Sequence, residues 1–324
     1  MANTGILHHG GIMVNYRCNA ACRHCLYSCS STRKQGYVSE DTAEKISSLL
    51  RKGGCHSVHI GGGEPFLNFD GLLAMIRALD RACIELEYIE TNAFWANDST
   101  KAEEYLHQLL SQGVTTLCIS IDPFHAEHIP YGLPLVLAKL CDKIGMGYFL
   151  WKQEFLAALS GLDPQKTHPI PENKVYTIAR HYGISFGGRA INIELQAPLY
   201  PAQSFSTDNA PCKNLLSTGH FHVDIDSFFI PPGCTGILIP LEEVISDIPK
   251  DKYPVFDALY YGGVSALYKL ALEYGFSPCS NGYPSKCNLC FFLRKFLSEK
   301  GFAELDENFY EESVINELRE RIIG

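Results

Sequence analysis

From residue 11 to about 150, short apolar runs alternate with amphipathic stretches. Gly11 to Tyr16 reads as a strand. Ser39 to Lys52 reads as a helix, with Ser39 placed to cap it and Ala43, Ile46, Leu49 and Leu50 on one face. Ser57 to Ile60 is a second strand, ending abruptly in glycines. The pattern continues with helix Asp70–Cys83, strand Glu85–Thr91, helix Lys101–Gln112, strand Thr115–Ile121, helix Leu133–Ile144 and strand Gly147–Trp151.

Strand and helix alternating at this spacing mean repeated βαβ units and a parallel sheet. In such sheets chemistry gathers at the carboxyl ends of the strands, whether the sheet is open or closed. The unusual polar and glycine-rich segments all fall there: the first cysteines, Gly61–Pro65, Thr91–Asn92 and Asp122–His125. After about residue 160 the alternation decays. A Pro-containing stretch, Asp163–Glu172, leads to a helix near Lys174–Tyr182 and a strand from Ile184 towards Gly187. Phe221–Val223 and Phe228–Ile230, separated by Asp224–Asp226, read as a hairpin. Helices are expected near Val264–Tyr274 and Glu312–Ile322.

With 324 residues, the chain suffices for one large α/β domain or a main domain with an appendage. No apolar run reaches the ~18–20 residues of a membrane span. The start, MANTGILHHGG, lacks the order of a secretory signal. A soluble, cytoplasmic protein with no membrane partner is expected. The net charge of -9 argues against general nucleic-acid binding.

Thirteen cysteines in a reducing compartment point to metal binding or catalysis rather than disulfides. Cys18, Cys22, Cys25 and Cys29 crowd the N-terminus, and Cys212, Cys234, Cys279, Cys287 and Cys290 occupy the last third. Cys55, Cys83, Cys118 and Cys141, in apolar or helical contexts, read as core packing. The run Cys18-Asn-Ala-Ala-Cys22-Arg-His-Cys25 presents three thiolates on a short loop, as iron–sulfur clusters require. Three ligands on a four-iron cube leave one iron open. By spacing alone, zinc remains the alternative.

This spacing, with His24 just before the third cysteine, resembles the radical S-adenosylmethionine (radical SAM) superfamily. Three further segments match that family in order. Gly62-Gly63-Glu64-Pro65 resembles its GGEP motif, which contacts the methionine amino group. Thr91-Asn92 resembles its Thr-Asn-Gly, with Ala93 in place of the glycine. Ser120-Ile121-Asp122 ends the fourth strand, where relatives bind the ribose. Arg189, in Gly187-Gly188-Arg189-Ala190, resembles the arginine that binds the cofactor carboxylate. Taken singly, the glycines also suit a turn, Ser120 and Asp122 a cap, and Arg189 an ordinary loop.

The resemblance implies a partial (β/α)6 TIM-like barrel over residues 1–205 and a small cysteine-rich auxiliary domain, SPASM- or twitch-like, over 206–324. It implies a 4Fe–4S cluster on Cys18, Cys22 and Cys25 that binds S-adenosylmethionine and cleaves it to a 5′-deoxyadenosyl radical. The electron would come from a donor such as flavodoxin or ferredoxin. Cys29 is expected near this cluster without ligating it. His125 and His128 follow the fourth strand as cavity-lining or structural histidines. The late cysteines imply a second, auxiliary 4Fe–4S cluster on Cys212, Cys234, Cys287 and Cys290, with Cys279 as spare ligand or hydrogen donor; structural zinc is the alternative.

The layout is similar to compact peptide-modifying radical enzymes, peptide epimerases among them. Those return a hydrogen atom from a cysteine thiol. Here Thr235 follows Cys234, so an epimerase would have to use Cys279 or Cys29. Seventeen residues precede Cys18, too few for a leader-recognition domain. Three functions are weighed: a maturase of ribosomally made peptides (crosslinking, thioether formation or epimerisation), a radical enzyme on a small metabolite or cofactor precursor, and a non-catalytic iron–sulfur electron carrier. The cofactor-binding segments argue against the carrier.

Overall fold

A computed structural model describes residues 5–33 and 36–314. Its first half alternates β1 (His9–Met13), α1 (Glu40–Lys52), β2 (Ser57–Gly61), α2 (Phe69–Arg81), β3 (Glu85–Thr91) and α3 (Ser99–Ser111). Then come β4 (Thr116–Ser120), the short α4 (Pro123–Ala126), α5 (Gly132–Ile144) and β5 (Gly147–Trp151). Polar caps set the helix starts. Ser39, Asn68 and Asp98 accept backbone N–H groups at the heads of α1, α2 and α3. The expected α1 face is buried through Ala43, Ile46 and Leu50. β1 begins two residues before the expected start at Gly11, because His9 and the glycines carry no apolar signal.

These five strands pair in parallel and in chain order, β5-β4-β3-β2-β1. An order that never reverses is that of a barrel segment; a doubly wound sheet reverses at a switch point. The fold is α/β with a parallel sheet, consistent with a partial TIM-like barrel.

The sixth strand is not where periodicity put it. After α6 (Leu156–Leu159) and α7 (Glu172–His181), residues Ile184–Gly187 are irregular. The Ile184 N–H returns to Ala179 O, and the Arg189 N–H reaches Cys25 O at 3.0 Å. This backbone serves a helix end and the cysteine loop instead of a sheet edge. Beyond α8 (Ile191–Glu194), β6 (Phe221–Val223) pairs in parallel with the free side of β1. The expected hairpin follows: β7 (Phe228–Ile230) runs antiparallel to β6, and β8 (Ile239–Pro240) antiparallel to β7. One sheet therefore runs through chain on both sides of residue 205, and so does the buried apolar core.

The remainder is α9 (Leu241–Ile245), α10 (Pro254–Glu273), α11 (Lys286–Ser298) and α12 (Glu307–Ser313). α10 starts at Pro254, well before the expected Val264, because proline suits the first helical position; it kinks at Gly263. The helix expected at Glu312–Ile322 coincides with the end of α12, and from residue 315 on it lies outside the described residues. Among the described residues, no helix is long and apolar enough to cross a membrane.

Candidate active site

The loop after β1 carries Cys18, Cys22 and Cys25 over the carboxyl ends of the strands. They face a cavity of about 330 Å³ whose wall includes Gly62–Pro65, Thr91–Asn92 and Ser120. Short contacts shape the loop: the Cys25 N–H donates to Cys22 O at 3.0 Å, and the Cys29 N–H to Cys25 Sγ at 3.3 Å. A hydrogen bond from the Cys29 thiol pulls the Cys25 thiol down to about 5 against the cost of burial, with help from the Arg189 charge. Burial, then Glu64 and Cys22, push Cys18 up. Asn92 Nδ2 approaches Cys18 Sγ at 3.8 Å and donates to Asn19 Oδ1 at 2.8 Å.

Glu64 lines the same cavity. Its Oε1 accepts from the Phe66 N–H (3.1 Å) and the Thr91 hydroxyl (2.9 Å), and its Oε2 from the Asn92 N–H (2.7 Å). Burial nevertheless lifts its carboxyl to about 7. A cationic partner in the cavity would favour its charged form. The glycines before it allow close approach: a Cβ at Gly63 would lie 2.0 Å from Arg17 O. Ala93 takes φ 63°, the left-handed conformation that a glycine at this position would adopt without strain.

Other expected site residues stand differently. Asp122 caps α4 through the N–H groups of Phe124 and His125 and pairs with the His125 ring. Burial opposes its ionisation, but His125 and His24 outweigh it and hold the carboxyl below its usual range. Asp122 is committed to this cap, whereas Ser120 and His125 line the cavity. Arg189 is buried, with its guanidinium donating to Cys22 O (2.9 Å) and Cys29 O (2.8 Å). It braces the cysteine loop here rather than reaching into the cavity as a carboxylate partner. His24 lies on the wall, stacked on Phe124 and beside Trp151; burial pulls its pKa down to about 4.

Residues 12–145, which carry the cysteine loop, Gly62–Pro65, Thr91–Asn92 and Ser120–Asp122, match the family model of the Radical SAM superfamily. That stretch is a radical SAM domain. A curated relative, the putative peptide biosynthesis protein YydG of Bacillus subtilis, is 30% identical over 118 residues, 36% of this chain and 37% of YydG. The match thus spans little more than a third of the relative's length. Among solved structures, native anSMEcpe with bound AdoMet is similar at TM-score 0.48 and 13% identity, with 98% of each chain covered. SuiB of Streptococcus suis bound to S-adenosylmethionine is similar at TM-score 0.43 and 16% identity, over 82% of this chain and 68% of SuiB.

Sequence reasoning missed part of the cavity wall: Glu90, Trp151, Lys152 and residues 183–185. Glu90 had a signal, an acid inside the otherwise apolar end of β3. Lys152 and residues 183–185 had none, because they reach the cavity only through the tertiary fold.

Outside that domain, Cys212, Cys234, Cys287 and Cys290 come together. Burial first, then Cys234 and Cys287, push the Cys212 thiol up to about 11. Burial likewise pushes Cys290 to about 12, against the pull of Arg294 and with repulsion from the other three thiols. Cys287 lies in the first turn of α11, which Ser285 caps, and Cys290 follows at the start of the second. Cys279 lies with Tyr283, whose hydroxyl accepts its N–H at 3.0 Å. Arg294, one turn beyond Cys290, is buried and donates to Thr235 O and the Tyr310 hydroxyl.

Proposed function

We propose that this chain is a radical SAM enzyme that modifies a ribosomally made peptide. The observation that carries the reading is the convergence of Cys18, Cys22 and Cys25 with Glu64 on one cavity inside the radical SAM domain. The peptide substrate rests on the partial match to YydG, a putative peptide biosynthesis protein.

The three thiolates would hold a 4Fe–4S cluster with one iron open to S-adenosylmethionine. Once bound, that pair supplies one-electron cleavage to a 5′-deoxyadenosyl radical able to abstract hydrogen from the substrate. The protein's part is placement. Glu64, pre-oriented by three donors, would accept the cofactor ammonium. Asn92 would steady the loop beside Cys18, and His24 with Trp151 offers an aromatic wall. Arg189 fixes the loop from behind. A low-potential protein such as flavodoxin or ferredoxin would donate the electron.

Cys212, Cys234, Cys287 and Cys290 would carry an auxiliary 4Fe–4S cluster. The alternative occupant of four thiolates is a closed tetrahedral zinc site. The permanent charge of Arg294 would offset an anionic cluster.

The test is anaerobic incubation of the reconstituted protein with reductant, S-adenosylmethionine and short peptides encoded beside its gene, read by mass spectrometry. A mass change in one peptide, dependent on S-adenosylmethionine, is expected. Cofactor cleavage with every such peptide unchanged, but with a small metabolite consumed, would reject the peptide assignment.

A further inference from the structure

Gly11 of β1 stands in register with His59 of β2 on one side and His222 of β6 on the other. A Cβ at Gly11 would lie 2.3 Å from His59 Nε2 and 2.7 Å from His222 Nε2. Without one, the two imidazoles meet across β1, Nε2 to Nε2 at 3.1 Å. His220 precedes His222 by two residues and so shares its face of the sheet. Its ring stacks on His59 with centroids 5.2 Å apart. One ring nitrogen from each of the three lies within 4.8 Å of the other two.

We propose that His59, His220 and His222 form a binding site for a divalent transition-metal ion of the zinc class, separate from the cysteine sites. Three imidazole nitrogens with an open fourth position are a donor set that zinc accepts. Two Nε2 atoms facing at 3.1 Å share one proton at most, whereas a cation takes both lone pairs.

The surroundings supply the orienting partners such sites use. The Tyr27 hydroxyl lies 2.9 Å from His222 Nδ1, fixing that ring with Nε2 towards the other histidines. His9 Nδ1 lies 3.2 Å from Glu87 Oε1, leaving His9 Nε2 turned to His220 Nδ1 at 3.4 Å as a candidate fourth donor. Glu90 Oε1 lies 4.0 Å from His59 Nε2 and offers a further oxygen donor nearby. Neutral imidazole is the ligating form. His220 is exposed, which gives the ion an entry path, while His59 and His222 are buried.

The ion would pin β6 to β2 across a β1 that has no side chain at Gly11. It would tie the late part of the chain to the barrel, beside a cavity that Tyr27 and Glu90 also line. This proposal stands whether or not the chain performs radical chemistry.

The test uses the full chain with its iron–sulfur sites reconstituted anaerobically, then equilibrated with Zn²⁺ alone. Zinc is counted by mass spectrometry, and its ligands are read from the Zn K-edge. About one zinc per chain is expected, with a nitrogen and oxygen first shell and no sulfur. His220→Ala, at an exposed position, should keep the iron content and weaken zinc binding about tenfold or more; His59→Gln should do the same. No zinc uptake, a sulfur shell, or zinc binding indifferent to both substitutions would overturn the proposal.

Discussion

Glu64 is hydrogen-bonded by three donors, yet its buried carboxyl is lifted to about 7, which fits a group that waits for a cation. Glu64→Gln keeps the shape and removes the charge. A charge-assisted hydrogen bond contributes about 1.5–3 kcal/mol, so S-adenosylmethionine should bind roughly tenfold to a hundredfold more weakly, measured anaerobically on the reconstituted cluster. An unchanged affinity would remove Glu64 from the cofactor site. For residues singled out by local spacing the shared placement was legible: the three cysteines, Gly63, Glu64, Thr91 and Asn92 all face one cavity. Arg189 was not. A guanidinium suits a carboxylate or two carbonyls equally, and only the fold brings it to Cys22 O and Cys29 O, far away in sequence. Asp122 also had two readings, and in the structure it is a cap.

At the scale of elements, the helices were legible because caps and apolar faces lie within a few residues of each other. The misplaced sixth strand shows the limit: Ile184–Gly187 has strand composition, but its hydrogen bonds go elsewhere. The GGEP turn is set by close approach. Gly63→Ala would drive a methyl into Arg17 O and should lower the melting temperature by several degrees while abolishing cofactor cleavage. The β6–β7 turn holds Asp224, which accepts from the Tyr16 hydroxyl and from the Asp226 and Phe228 N–H groups. Burial raises its carboxyl to about 7, so the folded state keeps a proton that the unfolded chain has lost. The stability tied to that proton is present below the ordinary carboxylate range and fades as pH rises through about 7. Asp224→Asn should therefore gain on the wild type in thermal melts between pH 5 and pH 8. A difference independent of pH would contradict the assignment.

At the scale of the whole molecule, the parallel sheet with its chemistry at one edge was legible, and the match over residues 12–145 bears out the radical SAM reading. The placement of β6 against β1 was not, since pairing between distant strands leaves no periodic trace. If both cysteine groups hold 4Fe–4S clusters, the reconstituted chain carries about eight irons. The double substitution Cys287→Ala and Cys290→Ala should leave about four, and a wild type with four irons and sulfur-bound zinc would make the late site structural. The most direct test of the central claim is anaerobic incubation of wild type and Cys22→Ala with reductant and S-adenosylmethionine, followed by quantification of 5′-deoxyadenosine. The wild type should release it and Cys22→Ala should release none; equal release from both would contradict the account.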